Sequence, residues 1–146
     1  MITIREMQLD DLEQVLPIEE SNFSVPWTAN GFFSFLIRED VHLLVAEENG
    51  QVLGYCGAIL TPPESDITNI CVRMDSRRRG IAVELFSKLK NDLLSKNITT
   101  IHLEVRESNQ AALQLYKKLG FVQDGLRPRY YEVPVEDAVL MSWRYQ

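Results

Sequence analysis

The sequence predicts an α/β protein of the α+β type, in which a mixed, mostly antiparallel twisted sheet is flanked by helices. Asn49-Gly50 separates two apolar strand-like runs, and this dipeptide is a strong short-range signal for a hairpin. Residues 66–106 read as strand, loop, helix and strand, which is long enough for a parallel crossover. Since no linker interrupts the chain, we expect a single domain over residues 1–146.

The N-terminal part begins with a short strand at residues 2–7. A helix follows and is interrupted by Pro17, because proline cannot donate the backbone hydrogen bond of a helix. Its apolar residues at helical spacing are Leu9, Leu12, Val15 and Leu16. Thr28 is a typical N-cap for a second helix. We expect the apolar side chains of this helix to face mostly inward: Phe32, Phe33, Phe35 and Leu36.

The middle of the chain predicts strands over 42–48 and 51–60, which form the hairpin, and a third strand over 66–74 after Pro62-Pro63. A long helix then ends near Asn97, a residue that tolerates left-handed backbone. One face of this helix is apolar: Ile81, Leu85, Phe86, Leu89 and Leu93. The next strand alternates apolar and polar side chains: Ile101, Leu103 and Val105 against His102, Glu104 and Arg106.

The C-terminal part predicts one more helix and two strands. Ser108-Asn109 can cap the helix, and Gly120 is well placed to end it. Its inward residues are predicted to be Ala112, Leu115, Tyr116 and Leu119. Residues 121–145 then predict two strands around a proline-containing connection.

Composition excludes several classes of function. The formal net charge of -6 argues against a general nucleic-acid binder, because phosphate contacts require clustered Lys and Arg. No apolar run approaches the roughly 20 residues that cross a bilayer, and the N-terminus lacks a signal-peptide core. We therefore expect a cytoplasmic protein that binds neither nucleic acid nor membrane.

The cysteines and histidines offer no metal site. Cys56 and Cys71 lie in apolar strand-like runs without metal-ligand spacing, so we expect buried thiols rather than a structural disulfide. His42 and His102 have no Cys-x-x-Cys sequence beside them, and no metal is expected.

Arg77, Arg78 and Arg79 form a basic cluster in an acidic chain. Taken alone, a solvated charge run explains it better than a site does. Its position between a strand and a helix favours a local anionic ligand, since the first helical turn carries unpaired N–H groups and the positive end of the dipole. Gly80 permits close approach of an anion, and Ala82 keeps the next position open. The loop is neither a Walker A sequence nor a dinucleotide fingerprint, which implies another phosphate ligand.

This loop and the second half of the chain carry a family resemblance. Arg77-x-x-Gly80-x-Ala82 resembles the (Gln/Arg)-x-x-Gly-x-(Gly/Ala) signature with which GNAT acetyltransferases hold the pyrophosphate of acetyl-CoA. Almost the whole chain is similar to RimI-type N-terminal acetyltransferases, which modify an alanine of ribosomal proteins. The matching segments are Pro26-Trp27-Thr28, Leu103-Glu104-Val105-Arg106, Ser108-Asn109-Gln110-Ala111-Ala112, Leu115-Tyr116-Lys117-Lys118-Leu119-Gly120-Phe121, Arg129-Tyr130-Tyr131 and Glu136-Asp137-Ala138. Met74 replaces a frequent proline and Ala82 a frequent glycine.

The resemblance implies the GNAT fold, with about six to seven strands, about four helices, and two central parallel strands that splay apart to admit the pantetheine arm. It implies acetyl-CoA as the acetyl donor and no second cofactor. The positions that match the cofactor contacts of the family are Ile70, Cys71, Val72, Arg77, Arg78, Arg79, Gly80, Ile81, Ala82, Val83, Asn109 and Tyr116. Without the resemblance, Asn109 is equally well explained as a helix cap.

By the same resemblance, Glu104 is the general base, acting through water, and Tyr116 is the general acid that protonates the departing sulfur. From the residues alone, Glu104 is better explained as an exposed carboxylate paired with Arg106, and Tyr116 as an inward helix aromatic.

Trp27 and Tyr131 match the positions that bind the acceptor, although cross-strand packing alone also explains Tyr131. A covalent route through Cys71 with His102 as its base is disfavoured, because the family transfers the acetyl group directly within a ternary complex.

The expected acceptor is the α-amine of a protein N-terminus, with an N-terminal alanine of a ribosomal protein first among the choices. An α-amine has a reference pKa of about 7.7 to 8.0 against about 10.4 for lysine, so it is deprotonated at lower cost. A lysine or small-molecule amine as acceptor, and a non-catalytic acetyl-CoA-binding module, are the alternatives. We expect a monomer or a weak dimer.

Overall fold

The computed structural model describes residues 1–22 and 27–145, and these residues form one seven-stranded sheet with four α-helices. The strands are β1 Thr3–Glu6, β2 Val41–Glu48, β3 Gln51–Thr61, β4 Glu64–Val72, β5 Thr100–Arg106, β6 Val122–Glu132 and β7 Val135–Arg144. The helices are α1 Leu12–Asn22, α2 Ala29–Leu36, α3 Ile81–Ser95 and α4 Gln110–Lys118. Short 3-10 turns lie at Leu9–Asp11 and Met74–Ser76.

The sheet is mixed, with the strand order β1-β2-β3-β4-β5-β7-β6. Neighbouring strands are antiparallel except β4 and β5, which run parallel and are connected through α3. The register of β4 and β5 extends only from Glu64 opposite Thr100 to Asp66 opposite His102. Beyond these residues the two strands separate. The predicted mixed sheet with splayed central parallel strands is confirmed.

The two faces of the sheet carry different helices. Leu85, Leu89 and Tyr116 of α3 and α4 belong to one buried core, whereas Val15 and Phe32 of α1 and α2 belong to another. The apolar residues of β5 also belong to the first core: Ile101, Leu103 and Val105. Because successive strand residues point to opposite faces, the side chain of Glu104 lies on the side of the sheet that carries α1 and α2.

Most element predictions from local signals are confirmed. The Asn49-Gly50 turn joins β2 to β3 with both residues in left-handed conformation, at φ 52° and 82°. Thr28 caps α2 by accepting a hydrogen bond from the backbone N–H of Gly31 at 3.1 Å. Asn97 follows α3 with φ 66°, as its predicted role at the helix end requires. Each of these signals acts within a few residues of chain.

Pro17 does not interrupt the first helix, and that prediction was wrong. Helix α1 continues through it to Asn22. The missing N–H of proline costs one helical hydrogen bond. Val15 and Ile18 on either side of it are 0% and 3% exposed, and we attribute the persistence of the helix to their burial against the sheet.

The inward faces of α2 and α4 also differ from the predicted ones. Phe32 and Phe35 are buried, but Phe33 is 45% exposed because it points about 100° away from Phe32 around the helix axis. In α4 the buried pair is Leu113 and Tyr116, and the other predicted inward residues are only half-buried: Ala112, Leu115 and Leu119. Strand β4 also ends at Val72 rather than Met74, which begins the 3-10 turn.

Ser65→Ala is expected to stabilise the protein. Ser65 is 0% exposed, and its Oγ has no hydrogen-bond partner among the described residues. Because an unsatisfied buried hydroxyl costs about 1–3 kcal/mol, its removal should raise the free energy of unfolding by about 1 kcal/mol, measured by urea denaturation.

Ser142→Ala is the matched control. Ser142 is 1% exposed, but its hydroxyl donates to Asp124 and is hydrogen-bonded to His102 Nδ1, so the same change should destabilise. A loss of stability in both variants would contradict the prediction for Ser65.

Candidate active site

The separation of β4 from β5 opens a cavity of about 560 Å³ between the two strands. The cavity is also lined by α4 and the β6–β7 hairpin. Six residues selected from the sequence meet there: Ile70, Cys71, Glu104, Asn109, Tyr116 and Tyr131. Because these residues come from four different elements, β4, β5, α4 with its N-cap, and β6, only the tertiary fold brings them together.

Glu104 is exposed in β5 and lines the cavity. The hydroxyl of Tyr130 donates a hydrogen bond to Glu104 Oε2 at 3.4 Å. Arg106 binds Glu136 at 3.2 Å and lies 4.3 Å from the ring centre of Tyr131. The carboxylate therefore has a phenol as a neighbour on the hairpin and stays open toward the cavity.

Tyr116 is 8% exposed and packs against Phe121 with ring centres 5.6 Å apart. Burial raises the pKa of the Tyr116 phenol, with a further contribution from nearby Cys71. The phenol is therefore protonated at neutral pH. A protonated donor at the cavity wall can supply a proton to a leaving group.

Cys71 and Cys56 are buried free thiols. Burial raises the pKa of Cys71 to about 12, which outweighs its hydrogen bond with Tyr55. The predicted partner of the covalent route, His102, is hydrogen-bonded through its two ring nitrogens to Ser142 and Glu64. Since a thiol is a poor nucleophile until it ionises, the geometry argues against an acetyl-cysteine intermediate.

The basic loop lies at the start of α3. Arg78 and Gly80 both have left-handed backbone, with φ 66° and 75°. Gly80 is the N-cap residue and has no side chain of its own that could cap the first-turn N–H groups. A Cβ atom built on Gly80 would meet no atom of the described residues within 4 Å. The start of α3 therefore has open space beside uncapped N–H groups, as a phosphate group requires.

The side chains of this loop differ in exposure and in contacts. Arg77, Arg78 and Arg79 are all exposed, and Arg79 forms an ion pair with Glu48 at 2.7 Å. Val83 is exposed, Ala82 is half-buried, and Ile81 is 2% exposed in the core. Ile81 can therefore face a ligand only through its backbone N–H.

Asn109 caps α4, as predicted, and also lies at the cavity, where its cofactor contact stays a prediction. Its Oδ1 accepts a hydrogen bond from the Ala112 N–H at 3.1 Å, which caps α4, and the residue lines the cavity. Trp27 does not belong to the described cavity lining, because it packs on Phe32 and Phe35 with ring centres 5.1 and 4.9 Å away. Pro26 of the same motif lies outside the described residues.

Sequence reasoning missed two residues around the site and one contact of a third. By resemblance Tyr130 was expected in the hairpin that helps cover the acceptor peptide, but its contact with Glu104 was not predicted. Asn69 lines the cavity, and Glu19 is 2% exposed and hydrogen-bonded to it. Glu19 follows the buried Val15 by four positions, a spacing that places it on the inward face of α1 and could have identified it.

Two further properties concern the described residues only. They contain no group of three or more His, Cys, Asp or Glu side chains placed to hold a metal ion. None of their helices is long and apolar enough to cross a membrane.

The split parallel strands, the uncapped glycine-led helix and the cavity with its carboxylate and phenol define the class of coenzyme A-dependent acyltransferases. The model of the Acetyltransferase (GNAT) family matches residues 8–121, and the chain belongs to this family. It is an N-acetyltransferase that uses acetyl-CoA, and the predicted family is confirmed.

The relatives extend over almost the whole chain. A candidate ribosomal protein bS18-alanine N-acetyltransferase of Bacillus subtilis (strain 168) is 37% identical over 139 residues, which cover 94% of this chain and 92% of that protein. The crystal structure of the ribosomal-protein-alanine N-acetyltransferase of Escherichia coli has a TM-score of 0.90 at 31% identity, covering 99% and 94% of the two chains. Ard1 of Thermoplasma volcanium has a TM-score of 0.91 at 26% identity, covering 99% and 98%.

Proposed function

We propose that this enzyme transfers an acetyl group from acetyl-CoA to the α-amine of a protein N-terminus, by direct attack within a ternary complex. The observation that carries the proposal is the cavity between β4 and β5, which Glu104 and Tyr116 line together. The names of the Bacillus subtilis and Escherichia coli relatives favour an N-terminal alanine of a ribosomal protein as the acceptor. A ribosomal acceptor would place the reaction in the cytoplasm, in one transferase domain over residues 1–146.

Acetyl-CoA would supply the activated acetyl group, and the loop and cavity would hold its two ends. The uncapped N–H groups after Gly80 suit the pyrophosphate, with Arg77 and Arg78 exposed nearby. Residues Ile70 to Val72 lie beyond the part of β4 that pairs with β5. Their backbone groups on the β5 side are therefore available to the acyl arm. Asn109 lies at the same cavity.

Glu104 is proposed as the general base. An amine attacks a thioester only in its neutral form, so a proton must leave the incoming ammonium group. At pH 7, deprotonation costs roughly 1 kcal/mol for an α-amine and about 4 to 5 kcal/mol for a lysine. A carboxylate that acts through water can therefore deprotonate an α-amine more easily than a lysine. The Tyr130 hydroxyl, 3.4 Å from Oε2, would hold the carboxylate in one orientation.

Tyr131 is the proposed acceptor contact on the hairpin. It lines the cavity and is half-buried, and burial raises the pKa of its phenol to about 12, so the group is a neutral donor. Trp27, which precedes α2, is also proposed to contact the acceptor peptide. Its ring packs against the buried core that contains Phe32 and Phe35.

A screen of N-terminal peptides tests the function. Peptides that begin with alanine and have ribosomal sequences should incorporate acetyl groups, and release of coenzyme A thiol should follow incorporation. The same peptides with a blocked α-amine should be inert. Acetylation of blocked peptides that contain lysine would favour the lysine alternative. Binding of acetyl-CoA without release of thiol for any amine would favour a binding module.

Tyr116→Phe is expected to lower kcat by about 100-fold or more and to leave coenzyme A affinity nearly unchanged. The variant keeps the aromatic packing on Phe121 but loses the only proton that the side chain can give to the leaving sulfur. Steady-state kinetics and calorimetry measure the two quantities. Tyr145→Phe, at a residue 61% exposed, is the control. Equal turnover in Tyr116→Phe and wild type would remove Tyr116 from the mechanism.

A further inference from the structure

Glu19 is a buried carboxylate outside the residues that the proposed chemistry uses. It lies on α1 and is 2% exposed. Its Oε2 accepts a hydrogen bond from the backbone N–H of Trp27 at 2.9 Å. Its Oε1 accepts hydrogen bonds from the Tyr55 hydroxyl and from Asn69 Nδ2, the latter at 3.2 Å. One carboxylate thus connects α1 with the start of α2, with β3 and with β4.

The contact on β4 falls at an irregular point of the strand. Gly57 is opposite Asn69 and Ala58 is opposite Ile67, so Thr68 is an extra residue in β4. Thr68 Oγ1 donates to Asn69 Oδ1 at 2.9 Å, and both residues line the cavity. Bulges of this kind redirect side chains and are frequent beside active sites.

The bulge is tightly packed on its β3 side. A Cβ atom on Gly57 would lie 2.4 Å from Leu43 Cδ2 and 3.0 Å from Thr68 Oγ1. The backbone of β3 therefore fits closely against Thr68, and Glu19 holds the next residue, Asn69, from the α1 side. The cavity wall at the bulge is constrained from two directions.

Only a carboxylate satisfies this arrangement. The three partners of Glu19 among residues 1–22 and 27–145 all present donor hydrogens, and an ionised carboxylate is an acceptor on both oxygens. The amide of glutamine would turn its NH₂ group toward at least one of these donors. An unpaired polar group at a site this buried is costly, so the shape of the wall depends on the acid itself.

We propose that Glu19 is a positioning residue for acyl transfer, which acts by holding Asn69 at the cavity wall and the backbone of Trp27 at the start of α2. The inference rests on the proposed function of the cavity. Glu19 does not line the cavity and does not touch the reacting groups. Glu19 affects the reaction indirectly, by fixing the position of Asn69 in the cavity wall. A small displacement of an active-site wall can lower the rate by about 100-fold.

Glu19→Gln tests the inference, with Glu20→Gln, an exposed neighbour on α1, as the matched control. We expect kcat/KM for an acceptor peptide with a free α-amine to fall about 10- to 100-fold in Glu19→Gln and to stay unchanged in Glu20→Gln. Coenzyme A affinity, measured by calorimetry, should stay unchanged in both variants. The side-chain amide resonance of Asn69, assigned by its loss in Asn69→Ala, should shift in Glu19→Gln only.

A double-mutant cycle separates positioning from general loss of stability. If Glu19 acts through Asn69, the double variant of Glu19→Gln and Asn69→Ala should be no slower than the worse single variant. Additive losses, or wild-type kinetics in folded Glu19→Gln, would overturn the role of Glu19 while leaving the proposed function intact. Failure of the wild-type protein to acetylate any N-terminal peptide would overturn the proposed function first.

Discussion

Glu104→Gln is expected to lower kcat for N-terminal peptides by about 10²- to 10⁴-fold, the range that general acid–base catalysis contributes. Glutamine has the same shape and can still accept a hydrogen bond from the Tyr130 hydroxyl. It cannot take a proton from the incoming ammonium group. Release of coenzyme A thiol at saturating acetyl-CoA measures the effect.

The pH dependence sharpens this test. Above the reference α-amine pKa of about 7.7 to 8.0, most of the acceptor is already neutral and needs no base. The deficit of Glu104→Gln should therefore shrink as pH rises through that range. Glu107→Gln, at an exposed position shortly after β5, should behave as wild type. A deficit that is equal at all pH values would show that Glu104 does not deprotonate the acceptor.

Gly80→Val is expected to raise the Kd for coenzyme A by about 100-fold, which corresponds to roughly 2.7 kcal/mol. The new side chain would occupy the open space beside the first turn of α3, where we place the pyrophosphate. It would also be strained, because Gly80 has φ 75° and β-branched residues avoid this region. Calorimetric titration with coenzyme A measures the affinity directly.

Gly50→Val is the control for Gly80→Val. It separates the effect of backbone strain on coenzyme A affinity from the effect of a side chain that obstructs the pyrophosphate. Gly50 in the β2–β3 turn has φ 82° and also has no described atom within 4 Å of an added Cβ. This variant should lose a similar amount of stability and keep the affinity for coenzyme A. Equal losses of affinity in the two variants would point to backbone strain, and undiminished affinity in Gly80→Val would refute the phosphate site at α3.

Some features of the site are visible in the sequence because they depend on neighbouring residues. Gly80 at the start of α3 and the Asn109 cap of α4 are local signals, since a cap or a left-handed turn is decided within one helical turn. The alternation in β5 likewise places Glu104 and Arg106 on one face of the strand. The separation of β4 from β5 was expected only through the family resemblance.

What the sequence by itself determined was the set of elements, the glycine-led helix, the buried cysteines and the family. The tertiary structure decided which side chains meet. Tyr130 reaches Glu104 from a hairpin whose register shifts between Arg127 and Tyr131, and Glu19 reaches Asn69 across a gap of 50 residues. Such contacts depend on strand register and on the packing of distant elements, and periodicity within a segment carries no information about either.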